Sequence, residues 1–346
     1  MNEQSGAETQ PFQYVHSTSL PVLMETLGIS LFVSTYQAGR LMVIRANQGK
    51  LTTLLRNFVQ VMGLALTPHR LALGTRNQIH LFRNAPATSP NADGDANYDA
   101  CYSPRLSYTT GDIRVHELVW VDDQLWIVNT RFSCLCTLHS DYSFIPQWRP
   151  PFVTALEGSD RCHLNGVALV NQQPKYVTVF SQTNSPQGWR SHKINGGCVL
   201  DLPTGEVVAQ GFSMPHSPRF YDGLLWLLDS GRGQLIVVDL QSGQSTTVVE
   251  LPGFTRGLAF YGRYAFIGLS QIREKQTFGG LPLEEKHDVL KCGVWAIDIK
   301  TGEPVAFLEF QEGCTELFDI QVLATAQNPT VLGFQRDEIN NTFLMS

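Results

Sequence analysis

The chain has 346 residues, 43% of them hydrophobic and 16% charged, with a formal net charge of −6. That acidic balance contains no basic run, which argues against nucleic acid as a partner. No apolar run approaches the roughly 18–20 residues of a membrane span, and Met1–Gln10 lacks the basic and apolar regions of a secretory signal, so we expect a cytoplasmic protein with no membrane partner.

In chain order, residues 1–13 are too polar to bury surface that would offset ordering, and read as a disordered tail. The remainder, 14–346, reads as one domain. Ser19–Leu27 suits a short helix with Ser19 as its cap. Strands follow at Ile29–Tyr36, Arg40–Ala46 and Lys50–Phe58, with Gly39 and Gly49 in the turns. A second unit opens at Met62 and runs through Arg70–Thr75 and Ile79–Arg83. After it comes an insertion, Ala85–Pro104, and a strand near Leu106–Thr110. The third unit opens at His116, the fourth at His163, the fifth at His216 and the sixth at Arg256. The fourth and sixth carry insertions, 184–195 and 273–291. Seven scattered cysteines suit free thiols in a reducing compartment. Alternation puts Cys134 and Cys136 on one strand face, as buried thiols.

The units share a spacing. Trp126 stands ten residues after His116, Trp226 ten after His216, and Phe266 ten after Arg256. The fifth and sixth units lie 40 residues apart in register. Short strands, two-residue turns and a period in that range indicate propeller blades. The first meander lacks an inner strand, and Leu317–Leu323 is an inner-type strand with no blade after it. Joining them leaves no free sheet edge. The expected fold is therefore all-β, a six-bladed β-propeller closed by the C-terminal strand in the N-terminal blade. Thr330–Gln335 has no place in that count, and as the start of another blade would make it seven.

Strand alternation gathers distant residues on one face of such a disc. The inner strands start there and bring His116 with Glu117, His163 with Asn165, His216, Arg256, and Glu316 with Asp319. The turns between second and third strands return there with Arg40, Arg76, Arg131, Arg232 and Arg273, and the 184–195 insertion adds Trp189, Arg190 and His192.

Three chemistries fit this set. Converging neutral imidazoles of His116, His163 and His216 could hold a divalent transition metal, Zn, Fe or Cu. The arginines Arg40, Arg76, Arg131, Arg232 and Arg256, with Asn165, suit an anionic small molecule, glycan or peptide, or else staple turns to neighbouring carbonyls. Glu117 or Asp319 could move protons in a hydrolytic, lyase or oxygenase reaction, and Glu316 and Asp160 are further carboxylates of that face. A protein-interaction scaffold with a protein partner is the alternative function. Trp126, Trp226, Phe266 and Trp295 fall inside strands and read as core between blades.

Leu27-Gly-Ile-Ser-Leu-Phe-Val-Ser-Thr-Tyr-Gln-Ala-Gly-Arg-Leu, Gly63-Leu-Ala, His163-Leu-Asn-Gly-Val-Ala, Pro215-His-Ser-Pro-Arg and Leu317-Phe-Asp-Ile-Gln resemble a family of conserved hypothetical proteins of cyanobacteria and proteobacteria. That family carries a domain of unknown function. The resemblance spans about Phe12 to the end and implies a propeller-like protein without an assigned activity. More distantly, the layout resembles six-bladed calcium- or zinc-dependent lactonases, whose acidic metal-ligand pattern is not evident here.

Overall fold

The computed structural model describes residues 12–85, 98–272, 279–335 and 337–344. The expectations placed on residues 1–11, on 86–97 of the first insertion, and on Arg273 lie outside them. Six antiparallel meanders stand in a ring, a six-bladed propeller. Blade one joins the two ends of the chain. Asp319–Leu323 is its inner strand, paired with Ser30–Thr35, followed by Arg40–Asn47 and Lys50–Asn57. The closing register sets Ser30 opposite Leu323 and Ser34 opposite Asp319.

The inner strands of the other five blades are Leu64–Leu66, Val115–Val121, Leu164–Val170, Pro215–Tyr221 and Phe254–Tyr261. Two blades carry a fifth strand on the outer edge. Pro329–Val331 runs parallel to Ala100–Tyr102 on blade two, so the unassigned C-terminal strand extends a blade and the count stays at six. Gln13–His16 pairs with Leu308–Glu312 on blade six. Both additions cover edges that would otherwise offer unpaired backbone groups. The last strand of blade two begins at Ala100, earlier than the expected Leu106.

Middle strands such as Leu224–Asp229 are buried on both faces and read as continuous apolar runs, because a blade is sandwiched between two neighbours. Outer strands such as Ser245–Glu250 are mostly exposed and carry no comparable signal. The core is accordingly divided among the blade boundaries. Phe32, Leu41 and Val43 of blade one meet Leu64, Leu73 and Tyr102 of blade two. The same happens at the other boundaries, and Leu31 and Met42 meet Val294 and Leu308 across the closing boundary between blades six and one. Each fully buried large aliphatic or aromatic side chain contributes about 1.5–3 kcal/mol. Trp126, Trp226, Phe266 and Trp295 all belong to these boundary cores. Cys134 and Cys136 are buried together in the core between blades two and three, and all seven cysteines are buried and outside any disulfide.

Near the axis the inner strands approach backbone to backbone. A Cβ on Gly63 would lie 2.9 Å from Glu117 Cα, and one on Gly257 would lie 2.8 Å from Ile320 N. Gly257 also has φ +79°, which favours glycine. The Gly-Leu-Ala of the repeat is thus a steric requirement of ring closure.

Helix Ser19–Leu27 forms as expected and packs Leu20 and Met24 into the closing boundary. Its cap position is Thr18, however, with no side-chain cap bond, while Ser19 Oγ donates to Val305 O at 2.8 Å and ties the helix to blade six. Gly28, with φ +69°, ends it. Among the described residues no helix is long and apolar enough to cross a membrane.

Candidate functional site

His116 and His216 are the second residues of their inner strands, and His163 immediately precedes its own. Because the inner strands start at one face, all three rings reach the channel mouth there. They line one pocket of about 200 Å³ together with Arg114, Arg190, Arg256, Glu316 and a wall of Tyr36, Phe180, Trp189, Phe254 and Phe318. Part of that wall comes from outside the repeat. Trp189 stands on the short helix Gly188–His192, and packs with Phe180, Met214 and Phe254 against Leu281 and Leu283. The insertions of blades four and six therefore build a hydrophobic rim above the histidines.

His116 and His163 meet edge to face, with centroids 4.9 Å apart. His163 stacks on Phe180 at 4.3 Å, and Phe180 in turn lies edge-on to His216 at 5.1 Å. Each ring is anchored through Nδ1. His116 Nδ1 lies 3.2 Å from Arg114 O, and His216 Nδ1 lies 3.0 Å from Met214 O. A carbonyl can only accept, so both nitrogens carry the proton and donate. His163 Nδ1 donates to the Asp160 carboxylate at 3.0 and 3.1 Å. Asp160 is itself buried and accepts from Arg114 Nη1 at 2.9 Å. Burial pushes the Asp160 carboxyl up, but His163 and Arg114 outweigh it and hold it below the usual carboxylate range.

Burial is also the largest influence on His116 and His216, and depresses both well below an ordinary imidazole. Repulsion from each other's neighbourhood adds to this: His163 and Arg256 both act on the two rings in the same direction. These imidazoles are neutral at physiological pH, with Nε2 unprotonated.

The pocket's positive charge comes from three guanidinium groups. Arg256 is the most buried of them, its side chain 11% exposed. Its Cζ sits 3.6 Å over the Phe318 ring, and Nη1 lies 3.3 Å from Glu316 Oε1. Burial lowers its pKa from the usual arginine value, opposed by Glu316. Arg114 is half-committed to Asp160. Arg190 is exposed at the rim beside Trp189 and has no ion pair among the described residues.

The backbone at the starts of these strands is strained. Arg114, Asp160, His163, Met214 and Ser217 all have φ between 50° and 53°. Such backbone costs on the order of 1–3 kcal/mol per residue and concentrates where a site holds side chains in place.

The other expected site residues lie elsewhere. Arg40 is buried with its guanidinium 4.8 Å over Phe12. Arg131 donates to Asp112 O at 3.1 Å, and Arg232 pairs with Asp229 and donates to Gly211 O and Ile194 O. Arg76 is exposed and does not line the pocket. Of these arginines only Arg256 lines it; Arg40, Arg131 and Arg232 are held by neighbouring protein groups. The reason is radial: a turn between second and third strands lies one strand spacing or more from the axis. Asn165 is buried, accepts from Thr178 Oγ1 at 2.9 Å and donates to His163 O at 3.2 Å, holding the strand start.

Glu117 and Asp319 do not line the main pocket. They border a void of about 10 Å³ in the channel below it, about the room of one water. Glu117 accepts from Val167 N at 2.9 Å and pairs with Arg219. Asp319 accepts from Leu64 N and Ile320 N, each at 2.8 Å, with Arg219 Nη2 at 3.9 Å. Both carboxylates cross a blade boundary and bind the next inner strand. Among the described residues no group of three or more His, Cys, Asp or Glu is placed to hold a metal ion. The three histidines converge on one pocket, but with Phe180 between His163 and His216 and with Arg256 adding its charge nearby.

Sequence reasoning missed Arg114. Its only signal was its position two residues before His116, in the loop that leads into the strand.

A family model described as a domain of unknown function, DUF4915, matches residues 18–332. No curated protein matches the chain. Among solved structures, a chain of a nidogen/laminin complex is similar at 10% identity and TM-score 0.50, over 86% of this chain and 99% of that one. A protein of unknown function from Bacteroides caccae is similar at 11% identity and TM-score 0.54, over 86% of this chain and 99% of that one. At these identities the likeness concerns the fold alone.

Proposed function

The chain belongs to the DUF4915 family, which carries no assigned activity, and on the geometry of its channel mouth we propose that it binds a small anionic molecule there. One observation carries the reading: three guanidinium groups and one carboxylate line an aromatic-walled pocket in which His116 and His216 are neutral. Arg256 is the principal contact. It is already desolvated, so its charge acts in a low-dielectric setting, and its ion pair with Glu316 is long enough for a ligand carboxylate or phosphate to compete. Arg190 and Arg114 stand at the rim as secondary contacts. The volume, about 200 Å³, lies below the roughly 300–1,000 Å³ of pockets for drug-sized ligands and so suits a small metabolite or one terminal group of a larger chain.

The test is calorimetric titration of the full chain with small carboxylates, inorganic phosphate and sulfate. A charge-assisted contact is worth about 1.5–3 kcal/mol, so Arg256→Met weakens binding about 10- to 150-fold. Arg190→Met, at an exposed position that leaves the fold untouched, weakens it less. Absence of binding by any anion, or equal affinity in Arg256→Met, overturns the proposal in favour of a scaffold role, for which a stoichiometric protein partner is recovered whether or not the pocket is altered.

A further inference from the structure

The tautomers of the three histidines narrow the ligand class. Each ring spends Nδ1–H on the pocket wall: His116 on a carbonyl, His216 on a carbonyl, His163 on the Asp160 carboxylate. Among the described residues the remaining nitrogen, Nε2, has no protein partner on any of the three rings. On His116 and His216, whose rings are neutral with the proton on Nδ1, that Nε2 is an acceptor with nothing to donate. The pocket therefore offers two acceptors, Nε2 of His116 and of His216, and guanidinium donors on another wall, Arg256 foremost.

We infer that the ligand is a hydroxylated carboxylate, its carboxylate on Arg256 and a hydroxyl group donating to Nε2 of His116 or His216. This rests on the anion-binding reading and makes it specific. A plain aliphatic acid would bring no donor to those Nε2 atoms, and a neutral polyol would leave Arg256 without an anion. An ammonium group could also donate, but Arg256 already repels positive charge at His116 and His216, so hydroxyl is the donor the field permits. The walls of Phe180, Trp189 and Phe254 suit either the C–H face of a sugar acid or the ring of a phenolic acid. These two sources share the recognising chemistry.

Calorimetry of the full chain separates them. The probes are D-glucuronate against cyclohexanecarboxylate, 4-hydroxybenzoate against benzoate, and glucose as the uncharged control. A site built to pair a hydroxyl rejects the analogue lacking it by factors that reach 10⁴ or more when its polar groups are left buried and unpaired. For a pocket open at the mouth we expect at least ~100-fold preference for one hydroxylated acid over its partner, and no binding of glucose. Whichever acid shows the preference identifies the source. His216→Phe keeps the ring's bulk and removes the acceptor; it lowers that preference at least ~10-fold while affinity for the unhydroxylated acid stays within about twofold. If acids bind and hydroxyl groups make no difference in the wild type, this inference fails and the anion reading stands. If no acid binds, both fail. The wild-type comparison decides the matter even if His216→Phe does not fold.

Discussion

Asp319→Ala tests how the ring is held shut. Asp319 belongs to the closing strand, and its carboxylate leaves its own blade to accept the backbone N–H of Leu64 at 2.8 Å in blade two. The other oxygen accepts from Ile320 N at 2.8 Å, and Arg219 approaches within 3.9 Å. The residue is only 3% exposed. Truncation removes two charge-assisted hydrogen bonds, each worth about 1.5–3 kcal/mol, and strands a buried N–H. A counter-effect reduces the sum. Burial, and then the Asp319 charge against the help of Arg219, keeps the Glu117 carboxyl high, so removing Asp319 relieves Glu117. The expected net loss is about 3 kcal/mol. Asp319→Asn keeps one acceptor for Leu64 and costs about half as much. Urea unfolding with an unchanged slope measures both. A loss below about 1 kcal/mol for Asp319→Ala would refute the view that this carboxylate organises the closure.

The same channel cluster gives a pH signature. Burial raises the Glu117 carboxyl from its ordinary 4.5 to about 7, with Arg219 opposing and Asp319 assisting. A carboxyl whose folded pKa is raised stabilises the fold fully below about pH 4.5, and that contribution is lost as pH rises through about 7, at most about 3 kcal/mol. Stability of the wild type therefore declines between pH 5 and about pH 8, and Glu117→Gln flattens the decline; an equally steep profile in the variant contradicts the assignment. Gly63→Ala forces a Cβ to within 2.9 Å of Glu117 Cα, backbone that cannot give way, so it lowers stability by about 1–3 kcal/mol or prevents folding, as read by thermal melting. A melt within 1 °C of wild type would show that the inner strands can spread.

The propeller was legible because its signal is periodic. The ten-residue interval from His116 to Trp126, His216 to Trp226 and Arg256 to Phe266 marks an inner strand start and a middle strand aromatic, and both positions are set by blade geometry. The unmatched first meander and the orphan strand after Leu317 told the rest, since a ring admits one way to pair them. Pro329–Val331 could not be placed: three residues pairing in parallel on a blade's outer edge leave no alternation to read.

The site was legible in part, for the same reason and with the same limit. Repetition brought His116, His163, His216 and Arg256 to one mouth. It could not say that Arg131 and Arg232 would turn to Asp112 and Asp229 beside them, because radial distance from the axis is not written in spacing. Nor could it show that Glu117 and Asp319 point across blade boundaries into the channel, one alternation step below the pocket. The aromatic rim comes from non-repeated insertions, whose packing of Trp189 against Leu281 and Leu283 has no period at all.

A crystal structure of the protein grown with D-glucuronate, with 4-hydroxybenzoate in a parallel crystal, tests the central claim most directly. The account predicts one of these acids in the channel mouth, its carboxylate within hydrogen-bond distance of Arg256 and a hydroxyl group within hydrogen-bond distance of Nε2 of His116 or His216. Both acids absent from that pocket at saturating concentration, or bound with the carboxylate turned away from Arg256, would contradict it.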